Sequence, residues 1–303
     1  MNAKPIETVC IVGAGFMGAQ IGLHCASQGY TVWIMDISEE ARGRASQSHI
    51  QELDTRVEKE QITTKDKESI LNHIHFTEDL KEGASRADLV IEAVPERLEL
   101  KRGVFTQLDQ ICPRHTILGT NSSSIRISAI EDATQRPDRV INMHFYAPVW
   151  QRPMVELMRG TKTSDETVEH VRQFVYTAGL TPLLVHKEST GFIYNRVWRA
   201  IKKEVLHIVD AGVASHEDVD RACMIIIGMP IGPFALMDMV GLDVVRDIEM
   251  VYYRESGDES DAPPKVLLEK IEKGELGIKT GKGFYTYPNP AFQDPSWLKG
   301  NKD

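Results

Sequence analysis

TVCIVGAGFMG, residues 8–18, decides the fold. Its first five residues, Thr8 to Val12, form a β-branched run that enters the turn Gly13-Ala14-Gly15-Phe16-Met17-Gly18. Apolar residues then recur at helical spacing as far as Gln28, and Gly29 stands where a left-handed residue would stop that helix. A second strand-like run, TVWIMD, ends at Asp36, twenty-three residues beyond Gly13. Strand, glycine turn, helix, strand and acid make a βαβ unit of the expected size.

G-x-G-x-x-G on its own is a weak signal, but here the strand before it, the helix after it and the acid at the end of the next strand supply its context. Gly13 permits the tight turn, Gly15 lets backbone approach a pyrophosphate, and Gly18 allows close packing of helix on strand. Phe16 and Met17 complete the candidate cofactor-binding turn. Asp36 would accept hydrogen bonds from both ribose hydroxyls and would repel a 2′-phosphate, which selects NAD over NADP.

Outward from this unit, residues 39–72 read as charged amphipathic helix, with Ile50, Leu53, Val57, Ile62, Ile70 and Leu71 as apolar positions, long enough for a helical hairpin. Short apolar runs recur at 88–94, 116–120, 139–146 and 153–158, with helical stretches between several of them. The alternation predicts a mostly parallel sheet covered by helices. The helix TVEHVRQFVYTAG has Thr163 and Glu166 placed as a capping box and Gly179 as its stop, and the strand-like TPLLVHK follows. Beyond Lys187 the pattern predicts helices only: a long one from Gly191 to Gly212, then others near 216–226, 234–250 and 264–273. The expected division is therefore 1–187, a doubly wound α/β domain, and 188–303, an all-α domain. A length of 303 residues suits two such cores.

A formal charge of −9 argues against a nucleic-acid or anionic-membrane partner held by general electrostatics. Cys10, Cys25, Cys112 and Cys223 lack any C-x-x-C spacing and read as free thiols of a reducing compartment, with no metal site. No leader pattern and no run of eighteen apolar residues is read, so a cytoplasmic protein is expected.

HFYAPVWQRPMVELM, residues 144–158, carries a histidine and a glutamate twelve positions apart in an otherwise apolar run. Buried charge is costly unless paired, so each needs a partner. If the Glu156 carboxylate holds one imidazole nitrogen of His144, the other nitrogen becomes a base suited to taking a hydroxyl proton. At the end of the 88–94 run, Glu92, Glu96 and Lys101 either face a cofactor or belong to a solvated loop and helix start. In TNSSSIRI, residues 120–127, three hydroxyls follow a strand, where they could cap a helix or bind a substrate oxygen.

The order and spacing of GAGFMG, VIEAVPE, TNSSSI, MHFYAPV, MVELMRG, STGFIYNR, MPIGPFALMDMVGLD and GIKTGKGFY resemble those of the L-3-hydroxyacyl-CoA dehydrogenases, over nearly the whole chain. The resemblance implies an N-terminal Rossmann-like domain with NAD, a helical C-terminal domain used for homodimerisation, and a 3-hydroxyacyl-CoA thioester as substrate. It places the catalytic histidine on His144, its carboxylate partner on Glu156, and the substrate-binding serine and asparagine on Ser123 and Asn195. Nucleotide contacts fall on the glycines and Asp36, with Glu96 and Lys101 on the nicotinamide side. Where the family has HFFNP this chain has HFYAP, with Ala147 in place of asparagine, and the family's CoA-contacting serine and lysine are not evident in residues 48–60. Those departures keep two other possibilities in view: a non-CoA hydroxy acid or alcohol as substrate, as in carnitine and gulonate dehydrogenases, and a non-catalytic nucleotide-binding or structural protein, as in lens crystallins of this family.

Overall fold

The computed structural model describes residues 5–300. Contacts divide the chain into two compact units, up to Ile193 and from Tyr194. In the first unit the strands are β1 (Thr8–Val12), β2 (Thr31–Met35), β3 (Ile74–Thr77), β4 (Leu89–Glu92), β5 (Ile117–Thr120), β6 (Val140–Phe145), β7 (Met154–Arg159) and β8 (Thr181–Val185). They form one sheet in the order β3-β2-β1-β4-β5-β6-β7-β8. Every pairing is parallel except β6 with β7. The chain runs outward from β1 in one direction and then from β4 in the other, which opens a crevice at the carboxyl ends of β1 and β4.

The helices of this unit are α1 (Phe16–Ser27), α2 (Glu39–Glu58), α3 (Thr64–Asn72), α4 (Leu80–Ala84), α5 (Leu98–Ile111) and α6 (Asp165–Thr177). They cover both faces of the sheet. Ala19, Ile21 and Cys25 of α1 and Val171 and Phe174 of α6 share a core with Val9, Ile11, Ile91, Ile141 and Leu157. On the opposite face, Ala84 of α4 and Phe105 and Leu108 of α5 pack on Cys10, Val12, Val90, Leu118 and Val140. Alternation along each strand sorts the side chains between these cores.

The expected helical stretch 39–72 is two helices, α2 and α3, the second with a capping box of Thr63 and Asp66. The cap of α6 differs from expectation. Ser164, not Thr163, accepts the Thr167 N–H, while the Thr163 hydroxyl donates to Val140 O at 2.6 Å and ties the loop to β6. β3, absent from the sequence reading, is a four-residue edge strand against β2.

The first unit extends past the expected break near Lys187 to Ile193, and the reason is local. Gly191 and Phe192 both adopt left-handed φ, +77° and +54°. The bend buries Phe192 with Met158 and Val185 and brings the Ile193 N–H to Glu156 at 2.9 Å. Glu188 meanwhile accepts the Ser128 N–H.

The second unit contains α7 (Tyr194–Asp210), α8 (His216–Ala222), α9 (Pro233–Val240), α10 (Leu242–Ser256) and α11 (Lys265–Glu272). Its described residues hold no strand, only isolated bridges at Gly277–Lys282 and Lys282–Thr286. Leu206, Phe234, Met237, Leu242, Val245 and Leu267 form its core. Two buried carboxylates pin its loops. Asp220 accepts the Phe234 and Ala235 N–H groups and the Tyr285 hydroxyl, and Asp238 accepts the Phe284 and Tyr285 N–H groups. No described helix is long and apolar enough to cross a membrane.

Candidate active site

The glycine turn has the shape an anionic cofactor needs. Gly13 sits at φ +110°, and a Cβ there would meet Ala93 O at 2.7 Å, while one on Gly18 would meet Gly13 O at 1.9 Å, so both positions exclude side chains. A Cβ on Gly15 would meet nothing within 4 Å; that face of the turn is open. α1 begins there with no side-chain cap and no acid in its first turn, leaving its amides and positive dipole end for an anion. Asp36, half-buried after β2, is oriented by the Ala14 N–H on Oδ2 at 2.8 Å and the Ser38 N–H on Oδ1 at 2.9 Å. These residues fit a dinucleotide. Phe16 is 72% exposed beside them.

His144 and Glu156 are each other's partners. The chain reverses after β6, and the antiparallel register sets His144 directly opposite Glu156. Imidazole Nδ1 lies 2.9 Å from Glu156 Oε2. Glu156 is fully buried, and it also accepts the Tyr146 hydroxyl on Oε2 at 2.8 Å and the Ile193 N–H on Oε1 at 2.9 Å. Nδ1 therefore carries the proton toward the carboxylate, and Nε2 is the nitrogen left for other chemistry. Tyr146 and Phe192 flank the imidazole, with ring centroids 4.4 and 4.8 Å away.

His144 stands at the carboxyl end of β6, on the same sheet edge as Gly13, with β4 and β5 between. Three strand spacings put that separation at roughly 14 Å. The edge is stitched across: Ala93 N–H donates to Val12 O, Asn121 N–H to Glu92 O, and Phe145 N–H to Asn121 Oδ1.

Glu92 and Lys101 are not a solvated loop and helix start. Both are buried, and the ammonium lies 2.8 Å from Glu92 Oε1, 3.1 Å from Glu96 Oε2 and 3.3 Å from Val94 O. Its three hydrogens are thus engaged within the protein. Glu92 also takes the Val94 N–H and the Thr120 hydroxyl. Glu96 Oε1 gathers the loop after β5 through the Ser122 hydroxyl and the Ser124 hydroxyl and N–H. Burial opposes its charge, but the Ser122 hydroxyl, the Lys101 ammonium and the Ser124 hydroxyl hold the Glu96 carboxyl down to about 2. So both flanking serines of TNSSSI are tied to Glu96, Ser122 buried and Ser124 exposed. Ser123, between them, is exposed. Asn195 belongs to the second unit, in the first turn of α7.

A groove adjoins the turn and shares Glu52, Thr55 and Trp150 with a second groove. The first, of about 510 Å³, lies between Gly15 and Phe16 and the α2 residues Arg44, Ser48 and Glu52, with Trp150 on its wall. The second, of about 410 Å³, is lined by Arg56, Lys59, Gln151 and the same Trp150. The Arg56 guanidinium lies 4.7 Å from the Trp150 ring centroid. A serine and a lysine thus do face grooves from the 48–60 window.

Fold and glycine turn together define a dinucleotide-dependent dehydrogenase. The family model described as 3-hydroxyacyl-CoA dehydrogenase, NAD binding domain, matches residues 8–189, and that of the C-terminal domain matches 191–287. The chain belongs to the 3-hydroxyacyl-CoA dehydrogenase family, and its cofactor is NAD. It is 37% identical over 282 residues to a probable 3-hydroxybutyryl-CoA dehydrogenase of Bacillus subtilis, covering 93% of this chain and 98% of that one. The structure of (S)-3-hydroxybutyryl-CoA dehydrogenase from Ralstonia eutropha is 38% identical, covers 94% of this chain and all of its own, and superposes with a TM-score of 0.88. A diketoreductase structure, described with dicarbonyl compounds, is 33% identical with a TM-score of 0.83 and equal coverage.

The sequence reading missed Tyr146, Asn121 and the Ile193 amide. Tyr146 could have been found as a phenol where the family motif has phenylalanine; the amide carries no sequence signal.

Proposed function

We propose that the protein oxidises the 3-hydroxyl of a short-chain L-3-hydroxyacyl-CoA to the 3-oxo compound, reversibly, with His144 as the general base. The observation that carries this is the imidazole braced by a buried carboxylate on the sheet edge that also holds the glycine turn. Glu156 fixes the tautomer and stabilises the imidazolium, so Nε2 takes the hydroxyl proton. Ser123 and Asn195 hold the substrate oxygen. NAD, when bound along Gly13–Gly18 and Asp36, accepts the hydride. In reverse, the imidazolium returns its proton to the developing alkoxide. Glu96 and Lys101 support the nicotinamide side, Lys101 acting through Glu96, since its own donors are spent.

The thioester reading draws on the names of the Bacillus and Ralstonia relatives and on the basic residues in the groove linings, Arg44, Arg56 and Lys59, which with Glu52 between them could engage a phosphorylated handle. A second reading, a free dicarbonyl or hydroxy acid without CoA, is favoured by Ala147, by Trp150 on the groove wall and by the diketoreductase likeness. A panel of 3-oxoacyl-CoA esters and free 3-oxo acids, followed by NADH absorbance, separates the two. Acetoacetyl-CoA is expected to exceed the free acids in kcat/KM, and NADPH to be a poor replacement for NADH because Asp36 would face its 2′-phosphate. No turnover of any thioester would sink the first reading.

The second unit leaves Ile225, Ile226 and Ile227 59%, 83% and 67% exposed, with Met239 at 55%. Such apolar area is where a second copy would bury itself, so we read the protein as a homodimer. Sedimentation at micromolar concentration should give twice 34.1 kDa; a monomer would contradict it.

A further inference from the structure

We infer that Tyr146 sets the basicity of His144 through the carboxylate oxygen the two share. The inference rests on the general-base reading above and adds to it a residue that touches neither hydride nor proton. Imidazole Nδ1 and the phenol hydroxyl both meet Glu156 Oε2, at 2.9 and 2.8 Å, in a position with no solvent access. A charge-assisted hydrogen bond draws its strength from the negative charge on the acceptor. When two donors converge on one oxygen, each diminishes the charge the other feels, and hydrogen bonding to the carboxylate stabilises its ionised form further. The imidazolium therefore gains less from Glu156 than it would from an unshared carboxylate, and Nε2 holds its proton less tightly.

The phenol's ring has a separate job. It packs on the imidazole with ring centroids 4.4 Å apart, a contact made by the ring rather than the hydroxyl. The family motif HFFNP has a plain phenyl ring at this place, so the hydroxyl is an addition to the packing rather than a requirement of it. On the sheet face that carries His144, β4 contributes Glu92, neutralised by Lys101, and β5 contributes the neutral Thr120. β8 sets Leu183 beside Glu156, and Arg159 at the end of β7 pairs with Asp165. The connection that follows β8 carries His186, Lys187 and Glu188, the last bound to the Ser128 N–H. Tyr146 donates to the same Glu156 oxygen that His144 meets, and so competes with it there.

The consequence is a displaced pH range. Hydroxyl oxidation needs neutral imidazole, so a weaker base keeps working at lower pH. Ketone reduction needs the imidazolium, so its alkaline limit falls by the same amount. Tyr146→Phe removes the hydroxyl and keeps the ring. It is expected to move the acid limb of kcat/KM for oxidation, and the alkaline limb for reduction, upward together by about half a pH unit, roughly a threefold change in the proportion of working base at fixed pH. NADH affinity and thermal midpoint should stay near wild type. Incorporation of 3-fluorotyrosine at the same position, which strengthens the donor, should move both limbs down. A structural role alone would lower stability or turnover without moving either limb.

A second readout is independent of substrate. The imidazole titration is followed by NMR on histidine-labelled, NAD-bound enzyme, with His144→Ala assigning the resonance. If the panel above finds no thioester turned over, the functional reading fails while this titration still decides the present one. A midpoint that does not move in Tyr146→Phe, or that moves down, overturns the inference.

Discussion

Replacing His144 with alanine is expected to lower kcat by roughly a hundred- to ten-thousand-fold, the usual cost of losing a positioned general base, while leaving NADH affinity within about twofold. The asymmetry follows from the fold. The dinucleotide turn is built from β1, α1 and β2, and Asp36 is held there by the Ala14 and Ser38 N–H groups, away from β6. The carboxylate left behind is not orphaned, since Glu156 keeps the Tyr146 hydroxyl and the Ile193 N–H. What is lost is the imidazole nitrogen proposed to receive the hydroxyl proton, together with the ring packed between Tyr146 and Phe192. The thermal midpoint, steady-state kinetics and an NADH fluorescence titration separate these effects. Activity equal to wild type in a folded variant would remove His144 from the mechanism. A parallel loss of NADH binding would mean the histidine supports the nucleotide site instead.

How much of this was legible in the residues divides along a physical line. The β1–α1–β2 unit could be read because its signals are local: glycines where backbone must turn or approach closely, and an acid at a fixed distance along the chain. The His144–Glu156 pair could be read because an apolar run with two ionisable groups demands a partner for each, and antiparallel reversal supplied it. β3 could not. Ile74–Thr77 is short, contains His75, and is a strand only because β2 offers it an edge. The bend at Gly191 and Phe192 was hidden in the same way, since a left-handed Phe192 has no propensity signal and is held by burial against Met158 and Val185. Glu96 reads as a loop acid. Its role comes from serines twenty-six and twenty-eight positions away, brought to it by the parallel pairing of β4 and β5.

Lys101→Met is expected to cost the first unit about 3–5 kcal/mol, on the scale of breaking a buried pair by removing one partner. Its thermal midpoint should fall by on the order of 10 °C. Glu92 lies between the strands with no solvent access, and after the substitution only the Val94 N–H and the Thr120 hydroxyl would remain to offset its charge. A neutral partner should repair this. Glu92→Gln in the same chain keeps an acceptor for Val94 and removes the uncompensated charge, so the double variant should recover most of the lost midpoint. It should not recover the site. Lys101 also holds Glu96 Oε2, and Glu96 holds Ser122 and Ser124 on either side of Ser123. In the double variant Glu96 keeps its serines but loses the ammonium that anchors it to the sheet, so the loop carrying Ser123 gains freedom. Substrate KM should then rise several-fold while stability returns. Chemical denaturation of the single and double variants, with KM measured on each, tests both halves. A single variant within about half a kcal/mol of wild type would deny the ion pair its structural role. A double variant with wild-type KM would show that the Ser123 loop does not depend on this anchor.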